Sequence, residues 1–320
     1  MKKRYFFIPV LMVFSLTGCM AKIANILQPK GSSGSSSMNS SQNNNTSSGS
    51  NNSSGSTSSS GSSSSSSSSS SELPADVIQY YSSIDDELTG NLLLTALNTL
   101  NKNKRIRTMG YDKHRNYFKY TEIIPGNTPS GKMYGFYNSA LVSNTWDNQE
   151  TWNHEHMWPN SRGAGSKGSL SEPYIEDDIH MVRPTSVSIN SSRGNKFFGT
   201  SSSTYDPGQY EAAYRGVAAR IIFYCAIADT RLTLVDKDTD DKTNSTMGKL
   251  SLLLQWNLQY APSSKSDAGT ALLVEQNRNN VIYSRSDLQG NRNPFIDHPE
   301  YACKIWGNTN GATKSACGYN

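Results

Sequence analysis

The sequence has no apolar run long enough to cross a bilayer as a stable helix, which excludes an integral membrane protein of the helical kind. It has little charge imbalance. The formal net charge is +4, but Lys2, Lys3, Arg4, Lys22 and Lys30 all precede residue 72 and leave 25 basic against 26 acidic residues from there to the end. A field that gathers polyanions through overall charge is therefore excluded, and any attraction of that kind must be local. Cysteines number four, too few for a disulfide-rich mini-domain. There is no internal repeat.

What is present begins with an export signal. Lys2-Lys3-Arg4 form a basic n-region, Tyr5 to Leu16 a short apolar core, and Leu16-Thr17-Gly18-Cys19 has the form of a lipobox. Cleavage before Cys19 and acylation there would tether the chain, each buried methylene contributing about 0.8 kcal/mol. Met20 after the cysteine favours the outer membrane in a two-membrane envelope. Residues 1–18 are read as the signal peptide. Residues 19–71 carry the lipid and a stretch, Gly31 to Ser71, that is almost wholly Ser, Gly, Asn and Thr. Such a stretch has no apolar surface to offset its ordering entropy and is expected to be a disordered tether spanning roughly 35 Å.

Residues 72–320 are enough for one well-cored domain. Helical period appears at Leu88, Leu92, Ala96 and Leu100, at Ala213, Val217, Arg220, Tyr224 and Ala228, and at Leu250, Leu253, Leu254 and Trp256. A fourth helix is expected across Ala268 to Asn280, and a short one after Asp297, with that side chain as its cap. Between 105 and 160, aromatic residues among Gly and Pro turns predict short strands and hairpins. The fold class is α+β, a mainly helical domain with a small sheet. Cys303 and Cys317 are expected to form a disulfide, worth about 3 kcal/mol by chain entropy. Cys225 lies in a helical core pattern and reads as a buried thiol.

Chemistry concentrates in two clusters. Trp152 to Gly163 carries His154, Glu155, His156, Asn160 and Arg162. Asp178 to Asn195 carries His180, Arg183, Asn190 and Arg193. These supply an imidazole that titrates near neutrality, hard oxygens suited to Mg²⁺ or Ca²⁺, and guanidinium groups for phosphate. Neighbours on a regular strand point to opposite faces, so Glu155 and His156 share a site only if the backbone bends. His154 and His156 share a face on a flat strand, which leaves open a zinc site completed by His180. The run Lys102, Lys104, Arg105, Arg107, Lys113 and Arg115 is the candidate local basic face. Trp152 and Trp158 read as core, His114 as surface, His298 as a cap. Asn291, Arg292 and Asn293 read as a structural loop network.

The residues also carry a resemblance. Trp152-Asn153-x-Glu155-His156-x-Trp158-Pro159-x-Ser161-Arg162-Gly163 is similar to the signature of the bacterial endonuclease I family. The likeness continues through Asp178-x-His180-x-x-Arg183-Pro184, Asn190-x-x-Arg193-Gly194-Asn195 and Gln289 to Glu300. The family comprises nonspecific extracellular or periplasmic nucleases of the ββα-metal (His-Me finger) class. The resemblance implies an embedded ββα-metal finger, His156 as general base, and Glu155 and Asn190 as ligands of Mg²⁺, with Ca²⁺ or Mn²⁺ as alternatives. It implies Arg162 and Arg193 on the phosphate; Asn195 and His154 are expected to contact substrate. The sequence departs from the pattern at His154, where Arg is common, and at Met181, where Asn is common. The expected protein is a monomeric, lipid-anchored, extracytoplasmic endonuclease acting on DNA or RNA and leaving 5′-phosphates. The alternative is a surface lipoprotein that binds nucleic acid or a host ligand without cutting it.

Overall fold

A computed structural model of the protein describes residues 73–165 and 175–320, all within the unit Ser68–Asn320. The leader, Cys19 and the Ser/Gly/Asn stretch lie outside the described residues. The chain runs through α1 (Ala75–Tyr80), α2 (Gly90–Lys104), α3 (Phe118–Thr121), β1 (Lys132–Tyr134), β2 (Leu141–Ser143) and β3 (Trp152–His156). It continues through β4 (Val182–Ser186), α4 (Val187–Arg193), α5 (Tyr214–Ala228), β5 (Thr233–Leu234), β6 (Thr246–Met247) and α6 (Leu250–Gln259). It closes with α7 (Thr270–Ser284), α8 (Pro294–Asp297), α9 (Glu300–Trp306) and α10 (Gly311–Ala316). Of the described residues 44% are helical and 9% strand, a mix of helices and small sheets compatible with α+β. The strands form three two-stranded pairings, β1–β2, β3–β4 and β5–β6.

Helix α5 is the spine of the core. Its sequence is apolar on every side, the pattern of a helix surrounded by protein, and all but one of its residues are buried. Gly216 sits where a Cβ would collide with the Tyr260 carbonyl, so glycine lets the end of α6 approach. The one cation at the centre of α5, Arg220, is fully buried. It forms a bidentate pair with Glu275 of α7 (2.8 and 2.6 Å) and donates to the Tyr260 carbonyl at 2.8 Å. This ties three helices together, and removing one partner of such a pair costs about 3–5 kcal/mol.

Helix α2 forms where the period placed it, but it buries Leu93, Leu97 and Leu100, and Leu92 is 70% exposed. The run Leu92-Leu93-Leu94 leaves the phase of the apolar stripe ambiguous, and tertiary packing selects the second leucine. The aromatic segment after residue 105 is a larger correction. Tyr111–Asn116 is a 3₁₀ turn and α3 follows it; strands begin only at Lys132. Tyrosine and phenylalanine favour strands only where a pleated, half-buried surface receives them. Here His114 anchors the turn instead, fully buried with its Nε2 at 3.2 Å from the Asp177 carbonyl. The expectation of a surface histidine was therefore wrong.

The basic run does not form one face. Arg105 enters the core and pairs with Asp178, whose Oδ2 also accepts from Tyr224 at 2.7 Å. Gln289 and Asn291 donate to the same tyrosine hydroxyl, and His180 Nε2 meets the Asn291 carbonyl at 3.2 Å. The second motif is thus partly a buried scaffold, as expected for Asn291 and its neighbours. Asp297 does not cap the following helix. It accepts from both ends of the Arg292 fork (2.7 Å each) and from Tyr81 (2.6 Å), which turns the carboxylate towards Arg292 rather than the helix start. His298 lies beside Glu300 at 3.0 Å. Cys303 and Cys317 are disulfide-bonded and Cys225 is a buried free thiol. No described helix is long and apolar enough to cross a membrane.

Candidate active site

The two motif clusters meet in the antiparallel pair β3–β4, with register Trp152↔Ser186, His154↔Pro184 and His156↔Val182. Pro184 has no N–H, so His154↔Pro184 is a non-hydrogen-bonded pair, and by alternation so is His156↔Val182. The carbonyls of His154 and His156 consequently face away from β4. Helix α4 supplies their donors. Asn190 Nδ2 donates to the His154 carbonyl at 3.1 Å, and Arg193 Nη1 to the His156 carbonyl at 2.9 Å. Three residues apart, these side chains share a helix face. On the far edge, the Pro184 carbonyl accepts from the Phe136 N–H at 2.7 Å.

Strand β3 stays regular through His156, and its side chains divide accordingly. Asn153 and Glu155 face α4. Asn153 Oδ1 accepts from Asn190 Nδ2 at 2.7 Å, and Glu155 Oε1 lies 3.3 Å from Arg193 Nε. Oε1 also accepts from the Tyr137 hydroxyl at 2.8 Å. Glu155 is 1% exposed; burial raises its pKa, while Arg193 and Tyr137 act in the opposite sense. The Asn190 amide is oriented by its surroundings: two acceptors fix Nδ2, so Oδ1 points away from them. Neither Asn190 Oδ1 nor Glu155 Oε2 receives a hydrogen bond among the described residues.

The histidines occupy the other face. His156 is half-buried and stacked on Tyr111, with ring centroids 4.7 Å apart. Its Nε2 is buried and has no hydrogen-bond partner among the described residues. Burial, then the Arg193 charge, lowers its pKa to about 4, which leaves the imidazole neutral near pH 7. His154 is boxed by Tyr111 (4.8 Å), Trp146 (5.3 Å) and Phe118 (5.5 Å), a packing position that leaves little surface for substrate. Burial, then His156 and Arg115, lowers its pKa to about 4 as well. The structure therefore brings Glu155 and Asn190 to one side of β3 and places His156 on the other.

Both motif arginines are occupied. Arg193 spends its fork on the carbonyls of His156, Gly194 and Met157 (2.9, 3.1 and 2.5 Å). Arg162 is buried over Phe197 and donates to the carbonyls of Asn195 (2.8 Å) and Asp240 (3.2 Å). These groups hold the exit of β3 and the end of α4. The Asn195 side chain is exposed beside them. Trp152 and Trp158 are fully buried core residues, and so is Met181. The sequence reasoning missed Tyr137, Asn153, Tyr111 and Trp146. Asn153 could have been found from the strand period, which places it beside Glu155; Tyr137 reaches the site from a hairpin turn with no local signal.

The donor set favours a hard cation. Two oxygens with water completing the shell suit Mg²⁺. No group of three His, Cys, Asp or Glu residues fit for a metal occurs among the described residues. His180 lies in the Asn291 network rather than with His154 and His156, so the zinc arrangement does not form.

Sequence comparison now fixes the class: the protein is a nuclease. It belongs to the endonuclease I family, whose model, described as Endonuclease I, matches residues 89–300. Nucleases of this family generally depend on a divalent metal. The chain is 34% identical over 247 residues to an extracellular ribonuclease of Bacillus amyloliquefaciens, covering 72% of this chain and 79% of that protein. It is 32% identical over 250 residues to an extracellular ribonuclease of Bacillus subtilis (strain 168), covering 72% and 80%. No solved structure matches. With the family shown, the alternative of a non-catalytic binding lipoprotein gives way.

Proposed function

We propose that the protein is an extracytoplasmic, metal-dependent endonuclease that hydrolyses RNA, and DNA by the same chemistry, to 5′-phosphate products. The observation that carries this reading is the pair of undonated oxygens, Glu155 Oε2 and Asn190 Oδ1, beside a strand that ends in an unpartnered imidazole, His156 Nε2. In this reading β3, β4 and α4 make up a ββα-metal finger. Glu155 and Asn190 would hold Mg²⁺, with Mn²⁺ or Ca²⁺ as substitutes. The bound cation supplies Lewis-acid stabilisation of charge on the phosphate and its leaving oxygen.

His156 Nε2 takes a proton from water as the water oxygen bonds to phosphorus. The bond from phosphorus to the 3′ oxygen breaks, and that oxygen takes a proton from solvent. Because His156 and Glu155 leave opposite faces of β3, the scissile phosphate must lie across the strand's C-terminal end. Arg193 holds that end through its backbone bonds, and Tyr137 fixes one oxygen of Glu155 so that the other is free. Asn195, exposed at the end of α4, is a candidate contact for the nucleic acid, while Arg162 holds the backbone beside it. The substrate's backbone rather than its bases is gripped, so sequence preference is weak. The names of the Bacillus relatives support RNA as substrate and secretion as destination; the lipobox at Cys19 supports anchoring at the cell envelope.

Purified mature protein, incubated with RNA and with plasmid in Mg²⁺, should degrade both. EDTA and His156→Ala should each abolish cleavage. Intact nucleic acid across Mg²⁺, Mn²⁺ and Ca²⁺ would refute the reading.

A further inference from the structure

Arg115 has a singular position. Every other described arginine has a hydrogen-bonding or charged partner: Arg107 a carbonyl, Arg162 carbonyls, and the rest carboxylates. The Arg115 guanidinium has neither a hydrogen bond nor an ion pair among the described residues. It lies instead over the Trp146 ring, with Cζ 5.2 Å from the centroid. Asp112 is three residues earlier in the same 3₁₀ turn, where side chains eclipse, yet it forms no ion pair with Arg115.

The setting places this free fork beside the catalytic face. Trp146 leans on His154 at 5.3 Å and on Trp152 at 4.8 Å. Tyr111, from the same turn as Arg115, stacks on His156. His154 and His156 are two residues apart, about 7 Å along an extended strand. Arg115 therefore stands one step along β3 from the proton acceptor, on the same face. Arg115 is half-buried, and no described carboxylate pairs with it. The indole holds the guanidinium by a cation–π contact, no described residue takes its N–H donors, and a planar fork of this kind matches a phosphate bidentately.

We propose that Arg115, held on Trp146, grips a backbone phosphate of the nucleic-acid strand flanking the one cut at His156. This rests on the nuclease reading above. The contact sets affinity for the strand and leaves the chemical step alone. Arg115 thus provides the phosphate grip that Arg162 and Arg193, committed to carbonyls, do not supply.

The test separates this contact from catalysis. A labelled single-stranded oligoribonucleotide is titrated with full-length His156→Ala protein in EDTA, across a range of salt, with and without Arg115→Ala or Arg115→Lys. Arg115→Ala should weaken binding about tenfold and lower the salt slope by roughly one phosphate's contribution. Arg115→Lys should keep the slope and recover only part of the affinity, because a point charge cannot bind as a fork. In the otherwise wild-type enzyme, Arg115→Ala should raise KM and leave kcat within about twofold. Unchanged affinity and salt slope, or a fall in kcat at constant KM, would overturn the proposal. Failure of the nuclease reading would show separately, as an absence of cleavage by the wild-type protein.

Discussion

Arg193 and Glu155 are joined across the space between α4 and β3: Arg193 Nε lies 3.3 Å from Glu155 Oε1, and both side chains are almost wholly buried. The same guanidinium holds the carbonyls of His156 and Met157. One residue thus balances the charge of the proposed metal ligand and fixes the strand end that carries the proposed base. Removing it leaves a carboxylate buried without its cation. Arg193→Ala should therefore cost about 3–5 kcal/mol, measured by urea unfolding, besides abolishing activity. A loss below 1 kcal/mol would show that the pair does not support the strand end.

Tyr137 acts on the same carboxylate oxygen. Its hydroxyl is the closer donor to Glu155 Oε1, at 2.8 Å. Tyr137→Phe keeps the ring and removes the donor. Supporting partners of this kind typically alter metal affinity by about 10–100-fold. A Mn²⁺ titration should show weakening in that range, with the fold intact by circular dichroism. Unaltered Mn²⁺ affinity would remove Tyr137 from the site.

The buried histidines predict how stability responds to acid. Burial lowers the pKa of His114 to about 3 and that of His180 to about 4. Their unfolded forms titrate near 6.5, so between about 4 and 6.5 the unfolded chain binds more protons than the folded one. The stability these groups contribute is complete above 6.5 and is lost as pH falls towards 4. Glu155, with its raised pKa, works in the opposite sense at one site. Thermal melts should show Tm falling steadily from pH 7 to pH 4.5, and His114→Gln should flatten that slope. A Tm independent of pH over this interval would contradict it.

The Cys303–Cys317 bridge ties α9 to the end of α10. Replacing both cysteines by serine should cost about 3 kcal/mol from the closed loop, read as a lower urea midpoint. Activity below the new midpoint should be unaffected, since the bridge touches none of the site residues.

Much of this was legible in the sequence because the relevant signals were local. The apolar periods of α5 and α6 stand out without any partner, and two cysteines in an exported chain find each other by proximity. The family was legible through its motif, and strand alternation already separated Glu155 from His156. The remainder depended on tertiary choices. Leu92, Leu93 and Leu94 offer three phases for one helix, and packing selects one. Tyr111 to Tyr120 has strand-like residues, but His114 finds a buried acceptor at Asp177 and the segment winds. The arginines were the hardest to assign, because a guanidinium serves a carbonyl, a carboxylate or a phosphate equally well. Only position shows that Arg162 and Arg193 are committed to carbonyls while Arg115 has no hydrogen bond or ion pair among the described residues.

The division of labour across β3 can be measured by Mn²⁺ binding to the wild-type protein, His156→Ala and Glu155→Gln, each assayed in parallel for RNA cleavage. His156→Ala should bind Mn²⁺ as the wild type does and cut nothing, while Glu155→Gln should lose most of the binding along with the cutting. If His156→Ala loses Mn²⁺ as severely as Glu155→Gln, or Glu155→Gln binds it as the wild type does, the roles assigned to the two faces are wrong.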